Sequence, residues 1–173
     1  MLILLTGGSA NGKSTYAEAL CARLGGPLYY IAAMLPYGEE SARRIVRHRR
    51  MRAARGFETM ERYTDVAGLT LPGRGTALLE CLCNLTANEI FEPNGAHEGA
   101  EEAVVAGVRA LRAQCAHLIV VTNDVGSDGG GYDELTERYI ETLGRINRRL
   151  AAEADTVCEL VCGIPLPLKG ALL

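Results

Sequence analysis

The 173-residue chain is 48% hydrophobic and 23% charged, with a formal net charge of −3. Its length fits one domain, and its composition favours a packed core over disorder. The slightly negative charge disfavours a general nucleic-acid-binding protein. No apolar run reaches the roughly 18 residues of a membrane helix, which argues against membrane insertion. The apolar run at 2–5 is too short for a signal peptide and lacks a basic leader.

Strand-like and helix-like segments alternate along the chain. Short apolar runs bounded by turn residues predict buried strands at 2–6, 28–32, 76–82, 117–122 and 156–162. Helical periodicity predicts helices at 13–24, 39–55, about 83–91, 98–116 and 132–154. Segment 63–75 has no clear period. The alternation predicts an α/β fold, in which one domain spanning 1–173 has a mostly parallel sheet with helices on both faces.

A phosphate-binding pattern, G-x-x-x-x-G-K-[ST], joins the first predicted strand to the first predicted helix. It consists of Gly7, Gly8, Ser9, Ala10, Asn11, Gly12, Lys13 and Ser14. The glycines allow backbone N–H groups to wrap around phosphates, and the helix N-terminus adds a partial positive charge. Lys13 is expected to reach the β- and γ-phosphates, and Ser14 to ligate Mg²⁺. The pattern predicts a P-loop nucleotide-binding domain but does not define the reaction.

P-loop proteins usually hold a metal-side carboxylate at the end of a neighbouring strand. Glu80, in the third predicted strand, is the first candidate, and Asp124, just after the fourth, is the second. The alternative for either is an ordinary acid at a strand end.

The predicted helix at 39–55 is rich in arginine in its second half. Helical spacing places Arg44, His48, Arg52 and Arg55 on one face. Neighbouring cations favour neutral imidazole over imidazolium, and only the neutral ring can attack phosphorus. Most charge runs, however, are solvated surfaces, and composition alone favours that simpler interpretation.

The six cysteines contain no C-x-x-C pair and are expected to be buried thiols in a reducing cytoplasm. Strand alternation predicts that Cys81 and Cys83 share one strand face, as do Cys158 and Cys162.

Several further elements carry a resemblance to a known family. They are Tyr30-Ile31-Ala32, the I-x-x-H-x-x-x-R element from Ile45 through His48 to Arg52, Phe57-Glu58-Thr59-Met60-Glu61, Leu78-Leu79-Glu80-Cys81-Leu82, Thr122-Asn123-Asp124-Val125-Gly126 and Gly163-Ile164-Pro165. With the phosphate loop, they make the chain resemble, almost end to end, the bifunctional adenosylcobinamide kinase / adenosylcobinamide-phosphate guanylyltransferase family of cobalamin biosynthesis.

This resemblance implies a RecA-like P-loop fold, a homotrimer and two activities. One phosphorylates adenosylcobinamide with ATP or GTP. The other moves GMP from GTP onto adenosylcobinamide phosphate through a guanylylated histidine, which His48 matches. The resemblance therefore favours a functional basic helix. Besides the phosphate loop, the matching GTP-binding positions are Ala32, Ala33, Met34, Arg49, Arg50, Met51, Arg52, Glu61 and Glu80. Mg²⁺ would be held by Ser14 and Glu80.

The chain departs from the family pattern on the acceptor side. Segment 126–131 is rich in glycine and lacks the family's proline, so we expect a mobile loop with altered acceptor recognition. Two alternatives remain open. One is a P-loop kinase of another small alcohol, in which His48 and the arginines only clamp phosphate. The other is a non-catalytic nucleotide-binding regulator, which the presence of Lys13, Ser14, His48 and Glu80 together disfavours.

Overall fold

A seven-stranded sheet organises the part of the chain that the computed structural model describes, residues 1–36, 46, 52–126 and 130–171. Its strands are β1 (Leu2–Thr6), β2 (Leu28–Ala32), β3 (Phe57–Glu61), β4 (Thr76–Glu80), β5 (His117–Val121), β6 (Thr156–Val161) and β7 (Ile164–Lys169). The spatial order is β3-β2-β4-β5-β1-β6-β7, and only the β6–β7 pair is antiparallel. The carboxyl ends of β1 to β6 therefore meet at one edge, where parallel sheets place their ligands.

Helices cover both faces of the sheet. The main helices in the described ranges are α1 (Lys13–Leu24), α2 (Leu82–Phe91), α3 (Ala100–Gln114) and α4 (Glu134–Glu153). Strand residues alternate between the faces, so Leu5 packs with α1 whereas Leu4 packs with the other three helices. No helix in these ranges is both long and apolar enough to cross a membrane. The α/β architecture predicted from the sequence is confirmed.

Most predicted elements are confirmed, with small shifts at their ends. β1, β2 and α1 have the predicted bounds. β5, β6, α3 and α4 are one to four residues shorter than predicted, whereas α2 begins one residue earlier. On α4, Leu143, Ile146 and Leu150 are buried as helical spacing requires. The prediction of a helix at 39–55 lies mostly outside the described residues, although 52–54 are helical. Residues 127–129 of the predicted mobile loop also lie outside them.

The sequence did not predict the two edge strands, β3 and β7. Among the described strands, β3 pairs with β2 alone, and β7 is largely exposed and contains Pro165 and Pro167. Proline is tolerated on an edge because one side of the strand makes no ladder hydrogen bonds. Segment 63–75 contains a short 3₁₀ turn, Val66–Gly68, whose Val66 is buried in the core.

Replacing glycine by alanine should have opposite effects on stability at two positions, Gly75 and Gly144. A methyl group on Gly75 would overlap the carbonyl oxygen of Pro27, which accepts a hydrogen bond from the Thr76 amide at 2.9 Å. We expect Gly75→Ala to lower the free energy of unfolding by about 1–3 kcal/mol. In α4, the nearest atom to a methyl group on Gly144 would be Arg148 Nη1 at 3.9 Å, so Gly144→Ala should stabilise by about 0.5–1 kcal/mol. Urea unfolding measures both, and equal effects would contradict the packing described.

Candidate active site

The phosphate loop lies between β1 and α1, as its sequence predicts. Gly7 has φ of +130°, and a Cβ there would stand 2.5 Å from the Leu160 carbonyl oxygen. Gly12 has φ of +85° and precedes α1 directly. Both positions require glycine, because other residues rarely adopt these conformations. The first turn of α1 has no acidic residue, so the positive end of its dipole faces a phosphate group without competition from its own side chains.

The side chain of Lys13 folds back onto the first two residues of this loop. Its side chain is buried, and Nζ donates hydrogen bonds to the carbonyl oxygens of Gly7 at 2.9 Å and Gly8 at 2.6 Å. Burial lowers the pKa of Lys13, and negative charge on Cys83, Cys81 and Glu80 opposes that effect. Both hydrogen bonds of this ammonium group are to backbone carbonyl oxygens, so its charge can still attract a polyanion, which makes Lys13 a suitable phosphate ligand.

Glu80 ends β4 and contacts the phosphate loop. The Ser14 hydroxyl donates to Glu80 Oε1, and the Tyr30 hydroxyl donates to Glu80 Oε2 at 2.7 Å. The expectation that the acid would lie on the strand next to β1 was wrong, because β5 separates β4 from β1. The second candidate, Asp124, is exposed and does not line the cavity described below.

The Ser14–Glu80 pair fits Mg²⁺. A hydroxyl and a carboxylate oxygen are the hard ligands that this ion prefers, and Mg²⁺ usually takes only one or two protein ligands together with substrate phosphates. Within the described ranges, no group of three or more His, Cys, Asp or Glu side chains could hold a metal ion. This donor set therefore suits a metal that arrives with a nucleotide.

Arg52 brings a second cation to the site. The side chain is 7% exposed, and its guanidinium carbon lies 3.7 Å from the centre of the Tyr30 ring. Its Nε is buried without a hydrogen-bond partner among the described residues. Arg55, in the turn that follows, forms an ion pair with Glu18 of α1. This pair fixes the segment against α1. Arg52 Nε can then donate a hydrogen bond to an anion in the cavity.

These groups surround one cavity of about 610 Å³, a volume typical of ligand sites. The predicted site residues that line it are Ser9, Ala10, Asn11, Gly12, Lys13, Ser14, Ala32, Met34, Arg52, Glu61 and Glu80. Gly7, Gly8 and Ala33 do not line it; Ala33 is buried, and its carbonyl oxygen accepts from Asn88 Nδ2 at 2.8 Å. His48, Arg49, Arg50 and Met51 lie outside the described residues.

The lining also contains residues to which the sequence assigned no role. They are Thr15, Glu18, Tyr30, Tyr63, Cys81, Asn84, Val121 and Asn123, with Arg55 from the predicted basic face. Most lie in or just after strands at the carboxyl edge. That position could have identified them, but only with the strand order known.

Two cysteine predictions were wrong. β4 ends at Glu80, so Cys81 caps α2 and Cys83 lies in its first turn, rather than both on a strand. Cys162 is exposed in the turn after β6, at φ of +50°. The interaction between the Cys81 and Cys83 thiols lowers the pKa of Cys83 to about 6 and raises the pKa of Cys81. All six cysteines are free thiols.

Comparison with known proteins identifies the family. A family model described as cobinamide kinase / cobinamide phosphate guanyltransferase matches residues 3–168. The bifunctional adenosylcobalamin biosynthesis protein CobU of Escherichia coli (strain K12) is 32% identical over 183 residues, covering 98% of this chain and 100% of that protein. The protein of the same name from Salmonella typhimurium is 33% identical over 182 residues, with the same coverage.

Solved structures support the fold. The flagellar accessory protein FlaH from Methanocaldococcus jannaschii gives a TM-score of 0.50 at 12% identity, covering 98% of this chain and 78% of that one. Together with the mostly parallel sheet, this likeness identifies a RecA-like α/β fold. The family match over nearly the whole sequence shows more than the fold: the chain belongs to the cobinamide kinase / cobinamide phosphate guanyltransferase family of transferases.

Proposed function

We propose that this chain uses the cavity described above for both reactions of its family. It phosphorylates adenosylcobinamide with ATP or GTP, then transfers GMP from GTP to adenosylcobinamide phosphate through His48. The observation that carries the proposal is the convergence of Lys13, Ser14, Glu80 and Arg52 on one cavity. One domain, a homotrimer and a cytoplasmic location belong to the same proposal, the last supported by six free thiols.

The nucleotide is held mainly through its phosphates. Backbone N–H groups of the loop and Lys13 bind the β- and γ-phosphates, and Ser14 and Glu80 hold the Mg²⁺ that accompanies them. When bound, this ion neutralises phosphate charge. Arg52 binds the α-phosphate through Nε, which has no hydrogen-bond partner in the described part of the chain. Ala32 and Glu61 pair at the ends of β2 and β3 and line the cavity together with Met34. We expect these three residues to contact the nucleoside.

His48 is the proposed nucleophile for GMP transfer. An imidazole nitrogen attacks the α-phosphorus of GTP, a P–N bond forms, and the bond to pyrophosphate breaks. A phosphate oxygen of adenosylcobinamide phosphate then attacks the same phosphorus, releasing neutral imidazole and adenosyl-GDP-cobinamide. Arg52, four residues later in the sequence, lines the cavity. Helical spacing would bring His48 to the same side, and the cation would disperse charge on the α-phosphate.

A two-step assay tests the proposal. The purified protein is incubated with Mg²⁺, ATP or GTP and adenosylcobinamide, and the corrinoid products are separated and identified by mass. We expect adenosylcobinamide phosphate first, and adenosyl-GDP-cobinamide only when GTP is present. Phosphorylation of other small alcohols but not of adenosylcobinamide would instead support the alternative kinase. Nucleotide binding without turnover of any acceptor would support the regulator.

Glu80→Gln tests the metal role. The change keeps the shape of the side chain but removes its charge, so we expect the Mg²⁺ concentration for half-maximal turnover to rise roughly 10- to 100-fold. Asp124→Asn makes the same chemical change at an exposed position outside the cavity lining and should leave this value within about twofold. A Mg²⁺ titration of both variants measures the difference. Equal responses would make Glu80 a purely structural strand-end residue.

A further inference from the structure

Tyr30 lies where the two charged sides of the cavity meet. Its side chain points from β2 toward the face covered by α1, and the residue is only 5% exposed. The hydroxyl donates to Glu80 Oε2 at 2.7 Å, while Glu80 Oε1 accepts from Ser14. Tyr30 thus binds Oε2 of the Glu80 carboxylate, while Oε1 faces the phosphate loop.

The ring of Tyr30 serves a different neighbour. The Arg52 guanidinium carbon lies 3.7 Å from the ring centre, within the range of a cation–π contact. Phe57 meets the ring edge-on, with centroids 6.1 Å apart and planes at 89°. The Phe57 contact restrains the ring, and the ring provides a surface on which the buried guanidinium can rest.

We infer that Tyr30 is a positioning residue that fixes Glu80 with its hydroxyl and Arg52 with its ring. The inference rests on the proposed function, because it assigns Glu80 and Arg52 to the nucleotide. A free glutamate side chain would sample several rotamers, so the phenol reduces the entropy lost when Oε1 receives a ligand. The ring similarly holds Arg52 before a nucleotide arrives. Tyr30 therefore links the metal side of the cavity to the segment that follows His48.

Two substitutions separate these contributions. Tyr30→Phe removes the hydroxyl and keeps the ring, whereas Tyr30→Leu removes both. Tyr29→Phe is the matched control, because Tyr29 is its buried neighbour in β2 and belongs to the core on the opposite face. The first readout is equilibrium binding of N-methylanthraniloyl-GTP, a fluorescent GTP analogue, during a Mg²⁺ titration. The second is the rate of GMP-adduct formation in a single turnover.

We expect Tyr30→Phe to raise the Mg²⁺ concentration for half-maximal analogue binding roughly tenfold. At saturating Mg²⁺ its adduct rate should stay within about twofold of wild type, because the ring still supports Arg52. Tyr30→Leu should also slow adduct formation roughly tenfold at saturating Mg²⁺. Tyr29→Phe should change neither readout.

A double-mutant cycle distinguishes positioning from general destabilisation. If the hydroxyl acts through Glu80, adding Tyr30→Phe to Glu80→Gln should shift the Mg²⁺ dependence by less than about twofold. A full tenfold shift in that background, or a wild-type Mg²⁺ dependence in Tyr30→Phe alone, would overturn the inference. Tyr30→Phe decides the matter even if Tyr30→Leu does not fold. Failure of the wild type to form an adduct would count against the proposed function instead, while the binding titration still tests Tyr30.

Discussion

Lys13→Ala should reduce triphosphate-dependent turnover by roughly 10²–10³-fold or more, in both the kinase and the guanylyl-transfer reaction. The side chain is buried at the base of the phosphate loop, with Nζ bonded to the carbonyl oxygens of Gly7 and Gly8. Its charge acts on the β- and γ-phosphates, which leave as pyrophosphate during guanylyl transfer. Steady-state rates with each nucleotide measure the loss.

The chain offers a matched control for this variant. Lys169, the other lysine, is exposed in β7 and donates to the carbonyl oxygens of Ala151 and Ala152. Lys169→Ala should keep turnover within about twofold of wild type. The free energy of unfolding of Lys13→Ala should not fall, because burying an ammonium group is costly. A folded Lys13→Ala variant with full turnover would refute the assignment of the cavity to the triphosphate.

His48→Asn should abolish the covalent GMP adduct and guanylyl transfer together. Asparagine has no nitrogen lone pair of comparable nucleophilicity, so the P–N bond cannot form. Phosphorylation of adenosylcobinamide should continue, because that step needs no covalent intermediate. Separate assays of phosphorylation and GMP transfer on the same protein reveal this split.

His97→Asn is the control for the His48 variant. His97 lies in a short 3₁₀ turn at φ of +53°, a conformation that asparagine adopts readily, and its Nδ1 is 3.2 Å from the Ile90 carbonyl oxygen. His97→Asn should retain both reactions. Guanylyl transfer that survives in His48→Asn, or is lost equally in His97→Asn, would contradict the assigned nucleophile.

The sequence predicted the parts of the fold and site that depend on local pattern. The phosphate loop, α1 and β1 follow from contiguous residues, and Glu80 follows from its place near a strand end. β3 was missed because Glu58, Thr59 and Glu61 interrupt the apolar run typical of the buried strands, and it pairs with β2 far back in the chain. β7 was missed because it contains Pro165 and Pro167, although it pairs with β6 directly before it. The end of β4 was misplaced because Cys81 and Leu82 continue its apolar run although the backbone there enters α2.

The contacts of Tyr30 could not have been predicted from local pattern. Tyr30 is a buried strand residue by any periodicity, and its partners come from β4 and from the segment before β3. Only the sheet order, with β2 beside β4, places its hydroxyl next to Glu80. The roles of His48, Arg49, Arg50 and Met51 remain predictions from the family resemblance, because these residues lie outside the described ranges.

Mass spectrometry of the protein after incubation with GTP and Mg²⁺ shows whether His48 forms a covalent guanylyl intermediate. We expect a shift by one GMP residue, located on the peptide that contains His48. The shift should disappear after mild acid treatment and persist in base, as expected for a phosphoramidate. Lys13→Ala should show little adduct, and His48→Asn none. An unmodified wild-type protein under turnover conditions, or an acid-stable adduct on a lysine, would contradict the proposed mechanism.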